Sequence, residues 1–251
     1  MLNPLRAFGT SLRDLFDDFL LLIACNLLWG VLSLPIWVIA FNILSLGAPW
    51  LAVIVALLGV LPAGPATIAL YYVANRITDG RATKIGDFFR AMREHAKIGI
   101  ILTTLVIGGL VVILFNIGFY LNVNNAFGGA MLGLWLYLLV FWLGLSLYAL
   151  PLAFLQDTPD LRLIARNAFL MTVGRPIFTF LTLIMMGIIV GLSLFLIVPV
   201  FLMTVAYLPV WATRATRQLV DDARRRREEA EAKPSDQPVT EKGRKGQVRP
   251  K

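Results

Sequence analysis

The sequence predicts an all-α integral membrane protein, with six transmembrane helices arranged as three hairpins and a short interfacial amphipathic helix before each hairpin. Its 23 basic and 15 acidic side chains all lie outside three blocks of the chain, residues 19–75, 98–156 and 176–213. Hydrophobic residues make up 58% of the chain and charged residues 15%, whereas a soluble domain carries roughly 25% charge. Because about 20 apolar residues cross a bilayer core, each block is long enough to cross twice.

Uncharged turn sequences divide the first two blocks. Clusters of Gly, Pro, Ser and Asn favour turns, and such clusters occupy residues 45–49 and 122–128. Each cluster lies near the middle of its block, so each block forms a hairpin. The predicted spans lie near residues 19–44, 50–74, 98–120 and 129–155.

The third block contains no polar turn. A single helix over residues 176–213 would be about 57 Å long, nearly twice the thickness of a bilayer core. Two short spans near 177–193 and 195–213, which meet near residues 191–199, fit the core better. The alternative is a protein with five crossings, whose tail lies on the opposite side of the membrane.

The distribution of Lys and Arg predicts the orientation. All basic residues lie in the four charged zones, and the turns inside the first two blocks carry none. Since Lys and Arg favour the cytoplasmic side of short loops, the four zones and both termini are expected in the cytoplasm. Residues 1–215 then form a transmembrane helical domain, and residues 216–251 form a basic, partly disordered cytoplasmic tail.

Amphipathic segments on the cytoplasmic side form a candidate surface for a partner or for lipid. Apolar residues recur at helical spacing just before each block, which is typical of helices in the membrane interface. Arginines accompany two of these segments and form a run in the tail. The candidate surface residues are Phe88, Phe89, Arg90, Arg93, Arg162, Arg166, Arg224, Arg225, Arg226 and Arg227.

A sequence rich in Pro and Gly inside the second span is the candidate helix break. Its two prolines remove helical hydrogen bonds near the expected middle of the bilayer. The freed carbonyls, with a buried amide, form a solute site in one interpretation. In the other, the segment is a packing kink that neighbouring helices repair. The candidate residues are Pro62, Gly64, Pro65, Thr67 and Asn26.

The sequence argues against an enzyme. The three apolar blocks contain no charged residue and no histidine, so the groups that usually carry catalysis or proton transfer in a membrane are missing from them. One cysteine and one histidine provide no cluster for a metal. No nucleotide-binding, hydrolase or metalloprotease motif occurs. We therefore expect no catalytic residue, no cofactor and no metal, and no nucleic-acid binding.

Several short motifs stand out in the sequence: residues 61–72 (LPAGPATIALYY), 79–80 (DG), 87–91 (DFFRA), 26–29 (NLLW), 34–35 (LP), 163–167 (LIARN) and 175–176 (RP). Together they resemble those of the YesL-like family, small bacterial membrane proteins with a domain of unknown function. The resemblance covers about residues 5–215. It implies a multi-pass protein of the bacterial plasma membrane, with no established enzymatic activity and an association with carbohydrate-uptake and sensor-kinase systems.

Two classes of function follow. The first is a non-enzymatic accessory or regulatory membrane protein, associated with a carbohydrate transporter subunit or a membrane sensor kinase. The alternative is a small permease or channel for a neutral solute that uses the broken second span. In both cases the lipid bilayer is the first partner.

Overall fold

The computed structural model describes residues 4–156, 160–196 and 203–232, and within them the chain forms nine α-helices and no strand. The first five helices are α1 (Pro4–Asp17), α2 (Phe19–Ser45), α3 (Pro49–Thr78), α4 (Ile85–Glu94) and α5 (Ala96–Tyr120). The other four are α6 (Ala126–Leu155), α7 (Leu161–Gly174), α8 (Pro176–Leu196) and α9 (Val205–Ala232). The all-helical prediction is confirmed for the described residues.

Five of the described helices, α2, α3, α5, α6 and α8, are long and apolar enough to cross a membrane. They carry large apolar side chains on their outer faces, such as Leu20, Phe41 and Phe115, which are mostly exposed. Soluble monomers rarely expose contiguous apolar surface on this scale. The fold is therefore that of a membrane-embedded helical protein.

Short turns join α2 to α3 and α5 to α6, at the places where the sequence predicts them. Gly47 lies in the first turn with φ of 80°, a left-handed conformation that favours glycine. In the second turn the side chain of Asn125 caps α6, where its Oδ1 accepts a hydrogen bond of 2.7 Å from the amide of Gly128. Local turn chemistry thus defines both hairpins.

The third apolar block forms two helices rather than one. Helix α8 continues through the predicted turn region to Leu196, and α9 begins at Val205. Residues 197–202, at the start of the predicted sixth span, lie outside the described residues. The hydroxyl groups of Ser193 and Thr204 are 2.9 Å apart, whereas a continuous helix would separate the two residues by about 16 Å along its axis. The chain therefore reverses between them.

Helix α9 lies at the centre of the fold and contacts α1, α2, α3 and α6. Most of its first half is buried, and Val210, Trp211, Thr213, Ala215 and Thr216 are inaccessible to solvent. A helix that is apolar all round belongs in a core. The predicted sixth span is thus covered by protein over its described part.

The three short helices α1, α4 and α7 precede the three apolar blocks, as the amphipathic pattern predicts. Each of them buries one stripe of small and apolar residues. In α4 this stripe contains Phe88 and Ala91, and in α7 it contains Ile164 and Ala168. These helices pack against the larger bundle, and their opposite faces stay exposed.

Candidate functional site

The candidate helix break is not unwound in the structure. Pro62 and Pro65 lie inside α3, which is helical from Pro49 to Thr78. Gly64, Pro65 and the adjoining Ala66 are buried. The segment is therefore part of a continuous, packed helix.

Gly64 marks a close approach between α3 and α5. A Cβ atom added at Gly64 would lie 2.7 Å from the Cα atom of Ile100. A Cβ atom added at Gly99, on the opposite helix, would lie 2.7 Å from the carbonyl oxygen of Gly64. Small residues allow helix backbones to approach closely in membranes. The glycine pair thus brings the two hairpins together.

Asn26 and Thr67 each form a hydrogen bond to another helix. The Oδ1 atom of the buried Asn26 accepts a hydrogen bond of 3.0 Å from the amide of Ala206, in the first turn of α9. First-turn amides have no partner within their own helix, so Asn26 supplies one. The indole Nε1 of Trp29 donates to the hydroxyl of Thr67 over 3.0 Å. Both polar groups thus hold helices together.

The candidate surface residues divide between core and surface. Phe88 is completely buried, and its placement on a partner or lipid surface is wrong. The amphipathic stripe of α4 packs against protein rather than against lipid, which explains the error. Phe89 is partly exposed, and Arg90 and Arg93 are exposed. Arg90 forms an ion pair with Asp87 on the same helix.

The arginines of α7 and of the end of α9 remain on the surface. Arg162 and Arg166 are exposed, and they lie one helical turn apart beside Asp160. Arg226 forms an ion pair with Asp222, while no described residue forms an ion pair with Arg162, Arg166, Arg224 or Arg227. Their charges are available to an external partner.

Ion pairs join α9 to the rest of the bundle, and the sequence did not reveal them. Arg214 donates from Nε and Nη2 to the two carboxylate oxygens of Asp14 on α1, at 2.6 and 2.7 Å. Arg217 pairs with Asp79, at the end of α3, and also donates to the side chain of Asn75. Bidentate arginine pairs of this kind fix geometry as well as charge. They hold the charged half of α9 beside the ends of α1 and α3.

A third ion pair joins α9 to the residue that precedes α8. Arg175, immediately before α8, donates to Asp222 over 2.7 Å. Immediately before α2, partial burial raises the pKa of the Asp18 carboxyl, and the negative charges of Asp14 and Asp17 raise it further. The charged zones around residues 14, 79, 175 and 217 therefore meet on one side of the bundle.

One signal in the sequence could have pointed to these pairs. Asp14 and Asp79 lie beside long apolar blocks, where an acidic group needs a partner. The basic residues that follow the last block supply such partners. Within the described residues, no group of three or more His, Cys, Asp or Glu side chains is arranged to hold a metal ion.

The described part of the structure thus defines an all-helical, membrane-embedded protein, in which charged groups from several helices gather around the last described helix. Residues 22–117 match the model of a family described as "Protein of unknown function, DUF624". The matched segment includes α3, α4 and most of α2 and α5, and with them Asn26, Gly64 and Gly99. No curated protein and no solved structure matches the chain. The chain is therefore similar, over this segment, to a family whose function is unknown.

Proposed function

We propose that this protein is a non-enzymatic accessory or regulatory membrane protein, which binds a carbohydrate transporter subunit or a membrane sensor kinase through its inner face. One observation carries the proposal. The exposed arginines of α4, α7 and α9 are largely free of ion pairs with described residues, while Asn26 and Thr67 are engaged in contacts between helices. Polar groups suited to a partner thus lie on the surface.

The faces of α4 and α7 combine apolar and basic groups. On α7, the exposed Phe169 and Leu170 follow Arg162 and Arg166 along one short helix. On α4, Phe89 accompanies Arg93. Protein interfaces are enriched in aromatic residues and in Arg, which is the pattern of these two helices. The YesL-like resemblance supports the same role, since it implies an association with transport and sensor systems.

Site-specific photocrosslinking tests the proposal. A photoreactive residue at Phe89 or Phe169 should form a defined adduct with a transporter subunit or a sensor kinase in native membranes. The matched control is Phe115, an exposed residue of α5. Its adducts should be confined to lipid, because it lies away from α4 and α7 in the sequence and in the bundle. Equal adducts from all three positions would contradict a specific inner-face surface.

The permease alternative makes the opposite prediction. Reconstituted protein should then move a neutral sugar, and replacement of Pro62 and Pro65 by Ala should abolish that flux. Under the accessory proposal we expect no flux above that of empty vesicles, and we expect the double variant to change assembly only. Sugar flux that is lost in the double variant would overturn the accessory proposal.

We further propose that all charged zones and both termini face the cytoplasm of a bacterial cell, and that α8 and α9 form the third hairpin. This hairpin is shorter than the other two. Ala206 is bonded to Asn26, which lies about 28 Å below the outer end of α2. To reach the outer surface and return, the chain would need at least about 12 extended residues, and only eight separate Leu196 from Val205.

Cysteine labelling in intact cells tests this topology. In a Cys25→Ala background, Asn124→Cys should react with an impermeant reagent, because it lies in the outer turn of the second hairpin. Gly243→Cys in the tail should not react. Phe195→Cys should also stay unlabelled if the third hairpin stops short of the outer surface. Labelling at residue 243 would overturn the orientation, and labelling at residue 195 would show six full crossings.

A further inference from the structure

A polar pocket of about 300 Å³ lies on the inner side, where α1, α3 and α9 meet. Its walls include Arg6 from α1, Thr78 from α3, and Arg214, Arg217, Asp221 and Arg225 from α9. The four α9 residues recur at intervals of three or four, so they share one face of the helix. A single helix face thus presents three arginines to one pocket.

The charges of this pocket are only partly balanced. Asp14 neutralises Arg214, and Asp79 neutralises Arg217. Asp222, which also lines the pocket, pairs with Arg175 and Arg226. Arg6, Arg225 and Asp221 form no ion pair with the described residues. Two cations and one anion therefore remain, and the pocket retains an excess positive charge.

Arg217 is engaged within the protein. Its two terminal nitrogens bind Asp79 and Asn75, and its Nε atom is buried. Arg217 therefore contributes positive charge to the wall of the pocket but no free donor to a ligand.

We propose that this pocket binds a phosphate-bearing anion through Arg6 and Arg225. Phosphate presents several strong acceptor oxygens, and the planar guanidinium matches them with pairs of donors. A carboxylate has only two oxygens, so it engages arginines from two helices less well than phosphate does. The position of the pocket on the inner side allows two sources, the headgroup of an anionic lipid or a soluble phosphate ester.

This inference does not depend on the accessory role: of the candidate surface residues only Arg225 lines the pocket, and the test below uses no protein partner. A bound phosphate would join Arg6 on α1 to Arg225 on α9. The ion pair between Asp14 and Arg214 already connects these two helices. We therefore expect the ligand to raise the thermal stability of the whole protein, since a ligand that binds only the folded state stabilises it.

The test uses the full chain in nanodiscs and two probes. Inorganic phosphate is added to nanodiscs of phosphatidylcholine, and separately phosphatidylglycerol replaces part of that lipid. Binding is measured by calorimetry for phosphate, by native mass spectrometry for retained lipid, and by the rise in Tm for both. The test variant is Arg6→Gln with Arg225→Gln. The control is Arg13→Gln with Lys97→Gln, two exposed residues that do not line the pocket, which removes the same charge.

We expect the test variant to weaken binding about tenfold or more and to abolish the rise in Tm. The control should change binding by less than about twofold, since neither of its side chains lines the pocket. An effect of inorganic phosphate identifies a soluble phosphate ester as the source, and an effect of phosphatidylglycerol alone identifies a lipid headgroup. Equal losses in the two variants, or no response of the wild type to either probe, would overturn the proposal.

A loss of binding can be distinguished from a loss of folding. Arg6 and Arg225 form no ion pair with described residues, so their replacement should leave the unliganded Tm close to that of the wild type. Comparison of the unliganded Tm values and gel-filtration profiles checks this expectation. A Tm response that is lost in a variant with normal unliganded stability reports on the pocket itself.

Discussion

Replacement of Trp211 by Ala is expected to lower the free energy of unfolding by about 3–5 kcal/mol, the usual cost of removing a large buried aromatic side chain. Trp211 is fully buried in α9. Its ring centroid lies 5.0 Å from that of Phe8 on α1 and 6.1 Å from that of Tyr207. The cavity would open between the central helix and α1, so both should lose packing. Equilibrium unfolding in mixed micelles measures the change.

The matched control is Trp50→Ala at the start of α3. Trp50 is 84% exposed, so its replacement should cost less than about 1 kcal/mol. A second variant, Trp211→Phe, separates volume from hydrogen bonding. The indole nitrogen of Trp211 has no hydrogen-bond partner among the described residues, so Phe should retain most of the stability. Equal losses in Trp50→Ala and Trp211→Ala would show that α9 is not the centre of the core.

The sequence could predict the apolar helices because the bilayer imposes a local requirement. Any segment that crosses lipid must satisfy its backbone internally and cover itself with apolar side chains. The charge-free blocks record that requirement residue by residue. The charge-free blocks do not show which helix becomes central, because a helix that faces protein and a helix that faces lipid can have the same composition. Trp211 and Trp50 therefore look alike in the sequence, although only one of them is buried.

The polar contacts were less predictable because they join distant residues. Asp14 and Arg214 are 200 residues apart, and Asn26 and Ala206 are 180 apart. The chain offers 23 basic partners for 15 acidic residues, and periodicity does not select among them. Phe88 illustrates the same limit, since its amphipathic stripe identifies the shared helix face but not what covers that face. Only the packing of α4 shows that protein covers it.

The glycine pair between α3 and α5 gives the second large effect. Gly64→Leu should cost more than about 3 kcal/mol or prevent folding, because the backbone of Ile100 lies 2.7 Å from the position of the new Cβ atom and cannot rotate away. Gly99→Ala should cost less, about 1–3 kcal/mol, because Ala adds one methyl group where Leu adds a branched side chain. Its Cβ atom would lie 2.6 Å from the side chain of Ile68 and 2.7 Å from the carbonyl oxygen of Gly64. Thermal unfolding of the purified variants provides the measurement.

Gly108→Ala is the control, and it lies on α5, the helix that carries Gly99. A Cβ atom at Gly108 meets nothing within 4 Å, and Ala favours a helix over Gly by about 0.5–1 kcal/mol. The control should therefore be neutral or stabilising. If Gly64→Leu also proved neutral, the two helices would be separable at the proline-rich segment, and a solute site there would regain support. A large loss of stability that is confined to the Gly64 and Gly99 variants would instead identify the Pro62 to Pro65 region as the contact that holds the two hairpins together.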